Sequence, residues 1–269
     1  AEARPTEARQ AVSPPAAAVP AKAKKAAEAK KPSTESWIAA LGHKGKWRQA
    51  LAVLEALPPD GATGPRGLKV LNATMGACVR SRQWRVALVL ASGLGPGEAD
   101  VVTFSTAVSA CEKGSNWSLA LATLGSMAEL QVSPNVVTSG AGISACARGK
   151  QWQLALAMLA AMPAQELKPN VITYNATISA CEKGRHWLHA LGVLEHMQGA
   201  GLEPDSISYS ATISACEAGS RWDLTLGFLR RMRQGGFTVD PMTHAACICA
   251  AGKRHRWREV VMLFEQAQG

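Results

Sequence analysis

The sequence predicts an all-α fold, a right-handed superhelical solenoid of about six helix-turn-helix repeats. Two observations predict it. Tryptophan recurs at intervals of 35 residues, at Trp117, Trp152, Trp187, Trp222 and Trp257. Cysteine recurs at the same interval of 35 residues, at Cys111, Cys146, Cys181 and Cys216. Such a period is typical of stacked hairpins, because one hairpin alone cannot bury its apolar face.

The repeat units follow from these intervals. Val171–Asp205 is the reference unit, and Val101–Asn135, Val136–Asn170 and Ser206–Asp240 align with it without gaps. Further copies are expected at 68–100, which is two residues short, at 35–67, which is degenerate, and at 241–269, which is truncated. Residues 1–34 lack Leu, Ile and aromatic residues, so we expect a disordered leader or linker there.

Each repeat unit is predicted to form two helices. In the reference unit, Thr173 is the predicted N-cap of the first helix, and Gly184 ends it. Hydroxyl residues hold the same slot in the other units, at Thr103, Thr138, Ser208 and Thr243. The second helix begins near Trp187, and Pro204 closes the unit.

The recurring Cys and Trp residues lie on the predicted apolar stripes of these helices. Tyr174, Ile178 and Cys181 share the stripe of the first helix, and Trp187 opens that of the second. We therefore expect Cys181 to be a small core residue and Trp187 to be buried, in the core or in the packing between helices. The alternative for the tryptophans is a stack of indole rings on nucleic-acid bases.

Composition limits the function classes. The net charge of +9 favours a polyanionic partner. We find no apolar run long enough to span a membrane. Seven cysteines without zinc spacing, and no signal peptide, favour reduced thiols and an intracellular protein. The sequence has no nucleotide-binding loop, metal quartet or nucleophile–base pair, so no catalysis, metal or cofactor is expected.

The motif of the unit resembles a known family. The unit opens with VITYNATIS, carries an Ala-Leu step in its second helix and ends with GLEPD. This resembles the pentatricopeptide repeat family, over residues 68–269 and loosely over 35–67. The resemblance implies sequence-specific binding of single-stranded RNA, one base per repeat, in RNA processing or expression in a mitochondrion or chloroplast.

The resemblance also implies which residues contact RNA. In the family, the fifth and last residues of a repeat read the base: here Asn72 with Asp100, Ser105 with Asn135, Gly140 with Asn170, Asn175 with Asp205, and Ser210 with Asp240. The second residue wedges the base: Val102, Val137, Ile172, Ile207 and Met242, whereas Lys69 departs from the pattern. A cation near the end of the first helix faces phosphate: Arg80, Lys113, Arg148, Lys183 and Lys253, whereas Ala218 departs.

By the pairing preferences of the family, these pairs imply the RNA sequence U-A-N-U-G, with Gly140 leaving the third base unassigned. A different interpretation of the polar pairs is purely structural, with Asn or Ser extending a helix cap and Asp or Asn ending a turn.

Two other functions remain open. One is a protein-binding scaffold of the tetratricopeptide type, although that repeat has a usual period of about 34 and a tryptophan early in its first helix. The other is the RNA-guiding part of an RNA-processing enzyme. The sequence identifies no protein partner.

Overall fold

Helices make up all the regular structure in the described part of the chain. The structure is a computed structural model that describes residues 37–38, 40–41, 44, 46–56, 65–94, 98–253, 258 and 261. The expected disorder of residues 1–34, and Trp257, lie outside these residues. Within them every regular element is a helix, which confirms the predicted all-α class.

Helices alternate along the chain as first and second members of hairpins. A single helix, α1, spans Trp47–Glu55. The hairpins that follow are α2 (Pro65–Arg80) with α3 (Trp84–Ser92), α4 (Val101–Lys113) with α5 (Trp117–Glu129), α6 (Val136–Arg148) with α7 (Trp152–Ala161), α8 (Val171–Lys183) with α9 (Trp187–Gly199), and α10 (Ser206–Ala218) with α11 (Trp222–Gln234). A 3-10 turn at Pro163–Gln165 follows α7, and α12 spans Pro241–Gly252.

The helices form two layers. Each first helix from α4 to α12 packs on the first helix before it, so these helices build one continuous layer. Each second helix packs on the first helix of its own hairpin and on that of the next. Repeat therefore stacks on repeat, and the chain is a helical-repeat solenoid.

The cysteines lie in the core between the layers. Cys78, Cys111, Cys146, Cys181 and Cys216 are fully buried, which confirms the prediction for the first-helix stripe. Burial raises the pKa of Cys146 and Cys181 to about 11. These thiols therefore stay protonated at neutral pH, as expected of small core residues rather than nucleophiles.

The first helices are capped differently from the prediction. The predicted N-cap Thr173 is the third residue of α8, and the true N-cap is Asn170, whose Oδ1 accepts from the Thr173 backbone N–H at 3.0 Å. The predictions at Thr103, Thr138, Ser208 and Thr243 are wrong in the same way, with caps at Asp100, Asn135, Asp205 and Asp240. Asp and Asn side chains reach the exposed N–H of the third residue, so each helix starts one turn earlier than predicted.

The tryptophans join one repeat to the next at the edge of the solenoid. The prediction that Trp187 is buried is wrong: it is half-buried, and it packs against the apolar core with one edge against Gly219 of the next repeat. A Cβ added at Gly219 would lie 2.2 Å from Trp187 Cδ1, and one added at Gly149 would lie 2.2 Å from Trp117 Cδ1. Glycine is therefore needed at the end of a first helix to admit the indole of the preceding repeat.

Candidate nucleic-acid interface

A row of large apolar side chains stands in solvent along the first helices. Each is the second residue of its helix. Their exposed fractions lie between 54% and 77%. This apolar row consists of Val102, Val137, Ile172, Ile207 and Met242. Exposed apolar side chains that recur in line favour a binding surface over chance exposure. In the preceding repeat, 68–100, the second residue of the repeat is Lys69, and its side chain is exposed.

The predicted pair Asn175 and Asp205 is in direct contact. Asn175 Nδ2 donates to Asp205 Oδ1 at 3.0 Å and Oδ2 at 3.1 Å. The Ser208 hydroxyl donates to Asn175 Oδ1 at 2.5 Å, and the Ser208 backbone N–H donates to Asp205 Oδ1 at 2.8 Å. Both ends of the Asn175 amide are thus held by the cap of the next first helix. Both distances to Asp205 involve one carboxylate, so a single N–H shared by its two oxygens accounts for them, and the other N–H and one lone pair of Oδ1 are left for another partner.

The pair Asn72 and Asp100 has the same geometry. Asn72 Nδ2 donates to Asp100 Oδ1 at 3.0 Å, and the Thr103 hydroxyl donates to Asn72 Oδ1 at 2.8 Å. Both Asn72 and Asn175 are buried, with 8% and 9% of their surface exposed. Only the outer edge of each amide can therefore meet a ligand.

The pair Ser210 and Asp240 is a shorter variant. Ser210 Oγ donates to Asp240 Oδ1 at 3.4 Å and accepts from the Thr243 hydroxyl at 2.9 Å. Ser210 is half-buried. Because its side chain is shorter than that of Asn175, it leaves more room above the pair.

The two remaining predicted pairs are not joined by a side-chain hydrogen bond. Ser105 Oγ donates to the Val102 carbonyl oxygen at 3.0 Å, while Asn135 Oδ1 accepts from Thr138. Gly140 offers no polar side chain to Asn170, as its sequence already implied.

The pair Asn175 and Asp205 lies between two members of the apolar row. Ile172 precedes Asn175 by three residues on α8, and residues three apart share a helix face. Asp205 precedes Ile207 by two residues at the start of α10. A flat group that rests on the Asn175–Asp205 pair would therefore have Ile172 on one side and Ile207 on the other.

Hydrogen bonding lowers the pKa of two capping aspartates, Asp205 and Asp100. Burial on its own would raise the pKa of Asp205, but bonds from the Ser208 backbone, the Asn175 amide and the Ser208 hydroxyl outweigh it, and the pKa is lowered. The pKa of Asp100 is lowered in the same way, by hydrogen bonds from Thr103 and Asn72. At neutral pH each carboxylate is an acceptor that fixes the orientation of its asparagine.

The predicted phosphate-binding cations are exposed, and most of them meet carboxylates. They are Arg80, Lys113, Arg148, Lys183 and Lys253. Glu112 Oε1 lies 3.5 Å from Lys113 Nζ and 3.3 Å from Arg148 Nη2 of the next repeat. Glu217 Oε1 lies 2.5 Å from Lys253 Nζ. These carboxylates offset part of the positive charge of the row.

The corresponding contact is absent between α8 and α10. Glu112 and Glu217 each reach a cation 36 residues further on. For Glu182 that residue is Ala218. Burial raises the pKa of Glu182, and the charge of Lys183 opposes the shift. Among the described residues Lys183 and Arg80 form no ion pair, so their charges remain available to an anion.

Sequence reasoning missed two sets of residues at this surface. The first is the hydroxyls of Thr103, Ser208 and Thr243, which hold the polar pairs from the third position of the next helix. The recurrence of these hydroxyl residues is visible in the sequence, but the pattern alone predicts that they are the N-caps. The second is Glu112 and Glu217, and the available signal was the recurrence of glutamate at multiples of 35 residues, at Glu112, Glu182 and Glu217.

The described residues contain neither a candidate metal site nor a candidate membrane-spanning helix. No group of three His, Cys, Asp or Glu side chains there could hold a metal ion. None of the described helices is long and apolar enough to cross a membrane.

Sequence comparison finds matches to one kind of repeat. The sequence model of the PPR repeat family matches residues 169–218. The model of the pentatricopeptide repeat domain matches residues 97–148 and 141–184. No curated protein matches the sequence of the chain.

Solved structures of similar fold agree with these matches. The crystal structure of the pentatricopeptide repeat protein PPR10 in complex with an 18-nt psaJ RNA element is 22% identical, with a TM-score of 0.67 over 88% of this chain and 38% of that one. A structure of PPR10 from maize is 23% identical, with a TM-score of 0.51 over 91% and 40%. The PPR domain of Arabidopsis thaliana protein-only RNase P 1 in complex with tRNA is 17% identical, with a TM-score of 0.59 over 66% and 95%. The chain spans well under half of the PPR10 chain, and at these identities the likeness establishes the fold.

Proposed function

The chain belongs to the pentatricopeptide repeat family, and from this premise we propose that it binds single-stranded RNA sequence-specifically, one base per repeat. The observation that carries the proposal is the alternation of the apolar row with polar pairs. An unpaired base has two flat faces and a polar edge, and the surface offers an apolar side chain for each face and a polar pair for the edge. Two of the structures of similar fold are complexes with RNA, which supports the same ligand class.

Fluorescence anisotropy tests this proposal directly. The chain is titrated into labelled single-stranded RNA containing U-A-A-U-G, into an RNA with the same bases shuffled, and into double-stranded DNA. We expect the tightest binding to the first. Equal affinity for all three would overturn sequence-specific recognition. No RNA binding by a folded chain would leave a protein-binding scaffold as the better interpretation.

The hydrogen-bond capacity of the pairs supports the assigned bases. Asn175 has one N–H and one lone pair left, which match the acceptor oxygen and the N3–H of uracil. Ser210 already donates to Asp240, so it is left chiefly as an acceptor. Guanine presents two adjacent donors on its edge, and the shorter serine leaves room for a purine. Asn72 repeats the arrangement of Asn175 and so the preference for uracil.

Asn175→Ser, with Asp205 kept, is expected to change the preferred fourth base from U to G. The substitution converts this pair into the type found at Ser210 and Asp240, and a polar match discriminates by about 1–3 kcal/mol per base. Affinity is measured for four RNAs that differ only at the fourth base. Preferences at the other bases should not change. A uniform loss for all four RNAs would instead make Asn175 a structural residue of the cap.

Lys183→Ala is expected to reduce the salt dependence of RNA binding. A single-strand phosphate contact contributes about −0.7 to the slope of log affinity against log salt. Lys183 forms no ion pair within the described residues, so its ammonium group is available to contact phosphate. Binding is measured over a series of salt concentrations. Arg230→Ala, which removes an exposed cation from the second helix α11, is the control and should leave the slope unchanged. An equal slope for wild type and Lys183→Ala would place Lys183 outside the interface.

We also propose that the chain acts as a binding module rather than as an enzyme, in organellar RNA processing or expression. The family resemblance supports a mitochondrion or chloroplast. Imaging a fluorescent fusion of the full-length protein tests this location, and a signal confined to the cytosol would contradict it.

A further inference from the structure

The turns that follow the first helices have left-handed backbone at one residue each. In these five turns that residue is Arg82, Ser115, Lys150, Arg185 and Ser220, with φ between 55° and 62°. Its N–H bonds back to the last turn of the helix, and so does the N–H of the next residue; in the turn after α8 these bonds measure 2.9 Å each, from Arg185 to Glu182 and from His186 to Cys181. This is the geometry that usually selects glycine at the left-handed position.

In four of the five turns glycine precedes that position instead of filling it, and in the fifth Ser81 does. Gly149 and Gly184 have right-handed φ values of −79° and −77°, and they are needed because an indole ring lies against them. The next residues, Lys150 and Arg185, adopt the left-handed conformation with a long side chain, which glycine would adopt more easily.

Cations at left-handed positions are confined to these turns. Where a second helix is followed by a left-handed residue, that residue is Gln131, Glu166, Gly201 or Gly236. The three cations therefore lie at one edge of the solenoid, two residues after the helix-end cations Arg80, Arg148 and Lys183.

These turn cations also differ from the helix-end cations in their partners. Lys113, Arg148 and Lys253 meet glutamates. Arg82, Lys150 and Arg185 are exposed, and in the described part of the chain none of the three forms an ion pair. Their charge is therefore not offset by a neighbouring carboxylate.

We propose that Arg82, Lys150 and Arg185 form a second cation row that binds the phosphates of the RNA strand. The inference rests on the proposed function and assigns to these turns a share of backbone binding that the helix-end cations alone were expected to supply. The competing interpretation is that these cations only stabilise the negative C-terminal ends of their helices. The two interpretations differ in the salt slope of RNA binding, which falls on loss of these cations only if they contact phosphate.

The test replaces Lys150 and Arg185 by glycine together. If they bind phosphate, the salt slope of RNA binding falls by about 1.4, for two contacts at about 0.7 each. Glycine also relieves the left-handed backbone, so the variant is expected to stay folded, with a melting temperature no lower than that of the wild type. Ser115→Gly with Ser220→Gly is the matched control: it relieves the same backbone without removing charge and should leave the slope unchanged. Arg230→Gln with Arg231→Gln removes the same charge from α11 and should also leave it unchanged.

A gain of binding completes the test. Ser115→Lys with Ser220→Lys places cations at the two uncharged turns and is expected to steepen the slope by about 1.4. The proposal is overturned if the glycine pair leaves the slope unchanged or if the α11 pair lowers it equally. The wild-type protein is measured on the same labelled U-A-A-U-G RNA. If it does not bind, the proposed function has failed as well, whereas binding with an unchanged slope in the variants overturns only the second cation row.

Discussion

Replacing Val137, Ile172 and Ile207 by serine is expected to weaken binding of single-stranded RNA by about 100-fold. Each side chain is more than half exposed in the free chain and would be covered by a base. Covering one is expected to contribute about 0.9 kcal/mol at about 25 cal/mol per Å² of apolar surface, and three together give about two orders of magnitude. Anisotropy titration of the U-A-A-U-G RNA measures the loss.

Folding stability separates this effect from damage to the array. Because the three side chains are exposed, serine should change the stability by no more than about 0.5 kcal/mol. Val89→Ser with Leu188→Ser is the matched control, since these side chains are 69% and 63% exposed on the second helices α3 and α9. The control should leave RNA affinity unchanged. An equal loss in the control pair would contradict a specific role for the apolar row.

Gly219→Ala is expected to destabilise the wild-type array and to stabilise the Trp187→Ala variant. In the wild type the new Cβ would overlap the indole, and overpacking of this kind costs about 1–3 kcal/mol. Trp187→Ala alone should cost about 3 kcal/mol, the lower end of the range for a core tryptophan, because Trp187 is only half-buried. Without the ring, alanine can adopt the negative φ of Gly219 and gains about 0.4–1 kcal/mol over glycine by restricting the unfolded chain.

Urea unfolding of the two single variants and the double variant measures this coupling. Gly192→Ala is the control: it lies within α9, and no atom lies within 4 Å of an added Cβ, so it should stabilise the wild type. Strictly additive effects of Trp187→Ala and Gly219→Ala would show that the ring and the glycine do not support each other. If Trp187→Ala lost RNA binding without any change in stability, that result would favour the alternative in which the indole rings stack on bases.

The hairpin architecture was predictable because the physics that sets it is local and repeated. A 35-residue period in Trp and Cys, with apolar stripes between them, leaves stacked hairpins as the way to bury those stripes. Cys181 on the first stripe is accordingly buried. The start of the second helix at Trp187 and the end of the first at Lys183, beside Gly184, also follow from local chemistry.

Cap assignment failed because two neighbouring residue types could each cap the helix. Asn170 and Thr173 both carry suitable oxygens, and local preference does not choose between them. In the structure Asn170 is the N-cap, because the Asn170 side chain accepts from the Thr173 N–H, while the Thr173 side chain is buried. The polar pairs were found only through the family resemblance, and their direct contacts depend on the stacking of one repeat on the next.

The sequence by itself determined the period, the helical class and the residue types at each slot, because these depend on neighbours within one hairpin. Only the tertiary structure decided which slots meet across repeats. Asn175 meets Asp205 at 3.0 Å over a separation of 30 residues, and Glu112 meets Arg148 over 36. It also decided that Trp187 covers Gly219 at an edge instead of entering the core, and that the apolar row stays uncovered. The physical reason is that these contacts depend on the rise and rotation between hairpins, which packing between layers sets and no single repeat encodes.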